Sequence, residues 1–418
     1  MAEDANSLYG LIAAMGQAAP HDGMVKRSLQ AIRAHLGMEV AYVSEFVGDR
    51  TVFREVDAPG LEAMVKVGDS HALDDVYCRH ILEGRLPALM ADTSVEPLAA
   101  AMPITHAVPI GKHMSVPIRL PDGSVHGMFC CLGFKADHSL HERDLQMMRV
   151  FADLAAFEIA RERDAAQAAR EKHDRIRAVI EQNQISMVYQ PIWNLDSEHP
   201  AGFECLARFA ATPPRSPDKW FTEAFETDLG VLLELTAIGI ARIALASLPD
   251  DVYVAVNASP RTILSGELSE VLHGMPVERI VLEITEHAHV EDYDRLIDAL
   301  QPLRARGARL AVDDAGAGYA SLQHILQLQP DLIKLDMGLT RNIDLDPARR
   351  ALAAALVAFA RDTNAEIIAE GVETTSELET LRAIGIEKAQ GYFLGRPMPF
   401  DDAVKLARQA MPPMECVA

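Results

Sequence analysis

Two domains of different class are predicted for the 418-residue chain: an α+β domain, then a modified (β/α)8 barrel with an antiparallel first strand. Three observations predict them. The first 160 residues read as amphipathic helices and β-hairpins, a long helical run without Gly or Pro follows, and beyond residue 183 eight short apolar runs recur, mostly separated by amphipathic stretches. The composition suits globular domains, with 49% apolar residues. A formal net charge of -22 argues against a nucleic acid polymer as partner, and no basic patch of useful length offsets it. An anionic small substrate would need cations or a few placed Arg and Lys residues. The five cysteines are odd in number and lack paired metal-ligand spacing, which suits reduced thiols and a cytoplasmic location. The acidic start MAEDANSLYG does not form the basic region of a signal peptide, and no apolar run reaches membrane-spanning length, so no membrane partner is expected.

From Ala5 to about Leu36 the pattern predicts two helices, the second with Val25, Leu29, Ile32 and Leu36 on one face. Val40 to Val47 alternates as a strand, Gly48-Asp49 turns, and Thr51 to Val56 returns. A second hairpin pairs Met114–Leu120 with Val125–Leu132 across Pro121-Asp122-Gly123. Tyr77-Cys78-Arg79-His80 falls in an irregular segment between the hairpins, and adjacent Cys130 and Cys131 should face opposite sides of their strand, one core and one cover. The helices, then the hairpin MSVPIRLPDGSVHGMFCCLGF, resemble a GAF sensory domain spanning residues 1–160. That resemblance implies a small-molecule ligand of unknown identity, or no ligand and a role in dimerisation. A helix from Asp144 to about Gln182 continues it, with Leu145, Met148, Ala152, Ala155 and Ile159 on its apolar face and residues 161–182 as linker. The stripe predicts a parallel helical pairing of two copies, hence a homodimer.

The barrel strands are predicted at Met187–Gln190, Phe203–Arg208, Val252–Asn257, Ile280–Ile284, Leu310–Asp313, Leu332–Leu335, Glu366–Ala369 and Ala389–Phe393, within residues 183–418. Parallel neighbours need a crossover, and the first connection, PIWNLDSEHPAG, has no helical period, so strands one and two should be antiparallel. The fifth run, LAVDDAGAGYASL, ends in Asp313 and Asp314 before a Gly-broken loop, which predicts acids facing solvent at a strand end. Side chains next to each other on a strand point to opposite faces. Both acids therefore reach one metal only if the backbone turns between them, or they serve two metals side by side. Glu204, Asn257, Glu283 and Glu370 lie in or end four other runs, giving with the two Asp residues six oxygen donors from five strands. Oxygen-only ligands suit Mg2+ or Mn2+ rather than zinc.

The pieces YQPI, ECLAR, VNAS, EITE, DDAGAGYASL, IKLD, AEGVET and QGYFLGRP together resemble the EAL family of cyclic di-GMP phosphodiesterases. The resemblance implies a site with two cations, Glu204, Asn257, Glu283 and Asp313 holding one, and Asp313, Asp314 and Glu370 the other. It implies catalytic roles for Glu204, Glu370 and Lys334, the last against the attacking water, and substrate contacts from Gln190, Arg208 and Gln390. Glu286 would anchor the loop after Asp314, with Asp336 and Glu373 supporting the ligands from behind. The expected reaction is metal-dependent hydrolysis to linear pGpG, regulated by the first domain. The alternative is a catalytically silent receptor, which has no need of all six donors. This chain departs from the family pattern in reading Glu204-Cys205-Leu206 for Glu-Ala-Leu, and in Ala315 and Ala317 where an aromatic residue and a Thr are usual. Cys205 should face away from Glu204, whereas the two alanines remove anchoring contacts from the loop.

Overall fold

The computed structural model describes residues 23–285, 290–315 and 319–409, the side chains of 319–321 excepted. The chain divides into two compact units, Met1–Ala168 and Ala169–Ala418. The expected helix at the start of the chain, Glu286 and Ala317 lie outside the described residues.

In the first unit, strands β1 (Val40–Val47), β2 (Arg50–Asp57), β3 (Ser70–Ala72), β4 (Leu89–Met90), β5 (Lys112–Arg119) and β6 (Val125–Gly133) form an antiparallel sheet in the order β3-β2-β1-β6-β5-β4. Both faces of this sheet are covered. Phe129 and Cys131 of β6 pack with Leu29 and Ile32 of the helix Met24–His35 and with Leu145 and Met148 of the helix Glu142–Glu181. Met128, Cys130 and Leu132 meet a second core containing Tyr42, Phe53 and Tyr77 on the other side. The period-two alternation therefore holds, but Cys130 is as fully buried as Cys131, so neither is cover. Tyr77-Cys78-Arg79-His80 is not irregular: it opens the helix Tyr77–Leu82, which buries Cys78. Leu145, Met148, Ala152 and Ala155 are buried within this unit, so the stripe that suggested a partner copy is satisfied by the sheet.

The second unit is a closed barrel, β10-β11-β12-β13-β14-β7-β8-β9, made of β7 (Ile185–Asn194), β8 (His199–Phe209), β9 (Tyr253–Asn257), β10 (Ile280–Thr285), β11 (Arg309–Ala315), β12 (Leu332–Leu335), β13 (Glu366–Ala369) and β14 (Lys388–Ala389). Strand β7 runs antiparallel to both β8 and β14, and the remaining pairings are parallel. The β7–β8 turn is tied by Asn194, whose Oδ1 accepts the Asp196 and Ser197 amides at 3.0 and 2.9 Å. The last strand is shorter than the predicted Ala389–Phe393. At Gly391 the backbone passes so close to Val372 that a Cβ would lie 2.2 Å from its nitrogen and oxygen, and the chain turns there instead of continuing the ladder.

Alternation along the strands fills the barrel in levels. Ile192, Ala255, Val281, Ala311, Leu332 and Ile368 make an apolar level. Two residues toward the strand N-terminus from Ala255 lies Tyr253, its ring facing the Arg309 guanidinium at 4.5 Å and the Lys388 ammonium at 5.8 Å. Two residues toward the C-terminus from Val281, Ala311, Leu332 and Ile368 come Glu283, Asp313, Lys334 and Glu370. The apolar level thus separates an aromatic plug from a polar layer. Gly202 makes room for the plug, since a Cβ there would lie 2.6 Å from the Tyr253 ring. Gly202→Ala is expected to cost about 1–3 kcal/mol by overpacking, measured as a lower urea midpoint of the barrel transition.

Candidate active site

Strand β11 answers the question posed by its two adjacent acids. Its register with β12 slips between Val312 and Ala315, so one extra residue is accommodated on β11, and Asp314 takes a left-handed φ of 57°. Such a bulge re-aims the side chains it carries. Asp314 N donates to Asp313 Oδ1 at 2.9 Å, tying the two residues together. Asp313 is buried rather than facing solvent as expected, because the strand runs on through it to Ala315, which is itself wholly buried in the core.

Two acidic trios result, Glu204–Glu283–Asp313 and Asp313–Asp314–Glu370, each with its ligand oxygens within 4.8 Å of one another. Asp313 belongs to both. In the midst of the cluster sits Lys334, 0% exposed, with Nζ 2.9 Å from Glu370, 3.2 Å from Glu283, 3.2 Å from Asp313 and 3.6 Å from Glu204. Burial opposes its charge, but Asp313, Glu204, Glu283 and Glu370 outweigh that and hold Lys334 well above the usual lysine range. Burial, and then the neighbouring acids, push Glu283 far up, with Lys334 opposing; Glu370 is pushed up to about 8 in the same way.

One ammonium faces five carboxyl groups, and burial holds two of them, Glu283 and Glu370, toward the protonated form. The donor set fits divalent cations bound through oxygen, and Glu283 Oε1 is buried without a hydrogen-bond partner, as an oxygen with a further ligand to take would be.

The other predicted residues have separate places. Asn257 ends β9 opposite Glu283 in register and is exposed. Gln190 pairs in register with Glu204 and donates to Gly395 O at 3.2 Å. Arg208 donates to Ala207 O at 2.9 Å and lines a cavity of about 520 Å3 beside Asn257. Gln390, expected to contact substrate, is buried and donates to Glu204 Oε2 at 2.6 Å, so it also orients a carboxylate. Asp336 caps the helix Met337–Thr340 by accepting the Gly338 amide at 2.7 Å, and the exposed Glu373 pairs with Arg341. These two carboxylates are thereby engaged outside the cluster.

Glu234 was missed by the sequence reasoning. It lies in the helix Gly230–Ala241, lines the cavity with Arg208 and Asn257, and accepts Ser259 N at 3.0 Å and Ser259 Oγ at 2.8 Å. Burial raises its pKa. The signal was present: Glu234 is the single charged residue in GVLLELTAIGIA. Ser259 in turn accepts the Thr262 amide and caps the helix after Asn257, so Glu234 braces that turn. Glu234→Ala leaves the Ser259 amide unpaired, while Ser259 Oγ keeps Thr262 Oγ1 at 3.2 Å, and is expected to destabilise the barrel by about 1–3 kcal/mol, read by denaturant unfolding.

Family models match twice: the EAL domain over residues 173–397 and the GAF domain over residues 18–160. An uncharacterized signaling protein of Caulobacter vibrioides is 29% identical over 341 residues, 78% of this chain and 41% of that protein. The probable cyclic di-GMP phosphodiesterase PdeD of Escherichia coli is 30% identical over 245 residues, 56% of this chain and 45% of that protein. The solved PaMucR phosphodiesterase in complex with c-di-GMP aligns with a TM-score of 0.50 at 29% identity, covering 56% of this chain and 99% of that one. The chain thus spans less than half the length of these curated relatives. No helix among the described residues is long and apolar enough to cross a membrane.

Proposed function

Because the chain belongs to the EAL family and carries an N-terminal GAF domain, we propose that its barrel hydrolyses cyclic di-GMP to linear pGpG in a metal-dependent reaction. The observation that carries this reading is Asp313, shared by two acidic trios that have one ammonium between them. Glu204, Asn257, Glu283 and Asp313 would hold one cation, and Asp313, Asp314 and Glu370 the other. Bound Mg2+ or Mn2+ would neutralise a phosphodiester and acidify a water at this site.

The residues themselves do the positioning. Gln390 fixes Glu204, and the bulge at Asp314 brings two neighbouring carboxylates to one layer. Lys334, held by four acids, supplies N–H donors where negative charge develops on the reacting phosphate. The fork of Arg208, which makes no ion pair among the described residues, is free to clamp a phosphate at the cavity edge, with Gln190 beside it.

We assign residues 1–160 to the sensory domain, 161–182 to the linker and 183–418 to the catalytic barrel, in a cytoplasmic homodimer whose first domain regulates the second. The buried free cysteines at 78, 130, 131 and 205 support a reducing compartment. Chromatography of cyclic di-GMP incubated with purified protein tests the activity. Formation of pGpG with Mg2+ or Mn2+ and its loss in EDTA are expected; retention of intact dinucleotide, bound but uncleaved with metal present, would make the barrel a receptor. Removing residues 1–160 should change the rate if the first domain regulates.

A further inference from the structure

The helix Pro217–Glu226 of the second unit has two working faces. Asp218, Phe221 and Thr222 line the cavity of about 520 Å3 beside Arg208 and Asn257. Trp220, Glu223 and Ala224 fall on the opposite side, as the helical period requires, and are buried. What covers them is the end of the helix Glu142–Glu181, whose Ile176 and Val179 share one core with Trp220 and Ala224. The cavity wall therefore leans on a helix that the sequence pattern assigns to the linker.

Glu223 ties these segments together. Its Oε1 accepts Arg175 Nε at 2.7 Å and its Oε2 accepts Arg215 Nη1 at 2.5 Å. Burial opposes the charge on Glu223, but the hydrogen bonds from Arg175 and Arg215 outweigh it and hold the pKa below the usual glutamate value. Charge-assisted bonds to both oxygens of one carboxylate are short and directional, so they fix geometry as well as charge. The Arg215 guanidinium also lies 5.4 Å from the centre of the Trp220 ring, and Trp220 stacks at 5.5 Å on Phe209, the residue after Arg208. One cluster thus holds both the helix that walls the cavity and the strand end that carries Arg208. Lys172 pairs with Glu226 at 2.6 Å nearby, but the two side chains are 41% and 51% exposed, and a pair so open to solvent contributes little.

We propose that Arg175 and Glu223 are positioning residues for the substrate cavity: through them the last turns of the helix Glu142–Glu181 hold the helix Pro217–Glu226 where its other face completes the cavity wall. This rests on the reading of the barrel as a cyclic di-GMP hydrolase. Neither residue belongs to the acidic trios, so the network acts on substrate affinity and leaves the cation layer alone. A shift of the linker helix would then reach the substrate without passing through the metal ligands.

Glu223→Gln and Arg175→Gln in the full chain test this, by steady-state kinetics with Mn2+ and by amide hydrogen exchange without substrate. Each should raise KM by about fivefold or more, the scale of one hydrogen bond to a charged group, with kcat and the Mn2+ requirement unchanged. Arg175→Lys, which keeps a cation opposite Glu223, should recover most of the affinity, and Lys172→Gln should match the wild type. Amides of residues 217–226 should exchange faster in both Gln variants, whereas those of Tyr253–Asn257 should not. A fall in kcat at unchanged KM, unchanged exchange over Pro217–Glu226, or a loss in Lys172→Gln equal to that in Arg175→Gln would overturn the proposal. Should Glu223→Gln fail to fold, Arg175→Gln carries the test, since that side chain is 27% exposed. A wild-type chain that neither binds nor cleaves cyclic di-GMP would defeat the reading of the barrel, and the exchange of residues 217–226 would then decide the proposal by itself.

Discussion

Glu204→Gln is expected to lower turnover of cyclic di-GMP by about 10²–10³-fold, the scale of losing one group that stabilises charge in a transition state, with the barrel still folded. The substitution keeps the shape of the side chain and one oxygen that can accept the Gln390 N–H, now at 2.6 Å. It removes a negative charge from the trio Glu204–Glu283–Asp313, so the cation held there should bind more weakly. Product chromatography with Mn2+ titration checks both effects. Wild-type turnover in a chain with this substitution would remove Glu204 from the reaction and with it the two-cation reading.

The second large effect is one of stability. Lys334→Met is expected to destabilise the metal-free barrel by about 3–5 kcal/mol, the cost of leaving one side of a buried ion pair unmatched. Four carboxylates lie within 2.9–3.6 Å of its ammonium, and nothing else cationic reaches them among the described residues. Urea unfolding in EDTA, repeated with Mn2+, measures the loss and its recovery as the cation takes over the neutralising role. The deficit should also depend on pH. Carboxyls whose folded pKa is raised, as burial raises Glu283 and Glu370, favour folding at low pH and lose that advantage as pH rises through the folded value, about 8 for Glu370. Without Lys334 these acids are pushed further in the same direction, so the variant should approach the wild type in acid and diverge from it in base. An EDTA-treated variant as stable as the wild type at every pH would show that Lys334 does not pair with ionised acids.

Much of the site was legible because strand side chains repeat every two residues. Glu283 follows Val281, Asp313 follows Ala311 and Lys334 follows Leu332 on one face, a pattern written into each segment separately. The bond from Gln390 to Glu204 was not legible because it joins residues 186 apart in sequence. Glu234 was passed over because its partner Ser259 comes from a different element, and an isolated acid in an apolar helix does not announce which turn it braces. The helix stripe of Leu145, Met148 and Ala152 was correctly read as apolar, but its partner proved to be the unit's own sheet. Periodicity tells that a face is buried and is silent on what buries it.

The sequence by itself determined the identity of the strands, the residues each one turns inward and the oxygen-rich chemistry of the inner layer, since these follow from alternation and local turn chemistry. The tertiary structure alone decided that the inward acids meet at one height. That height depends on the stagger between strands and on the extra residue at Asp314, which are set by closing a ring of eight strands and are not encoded within any one of them.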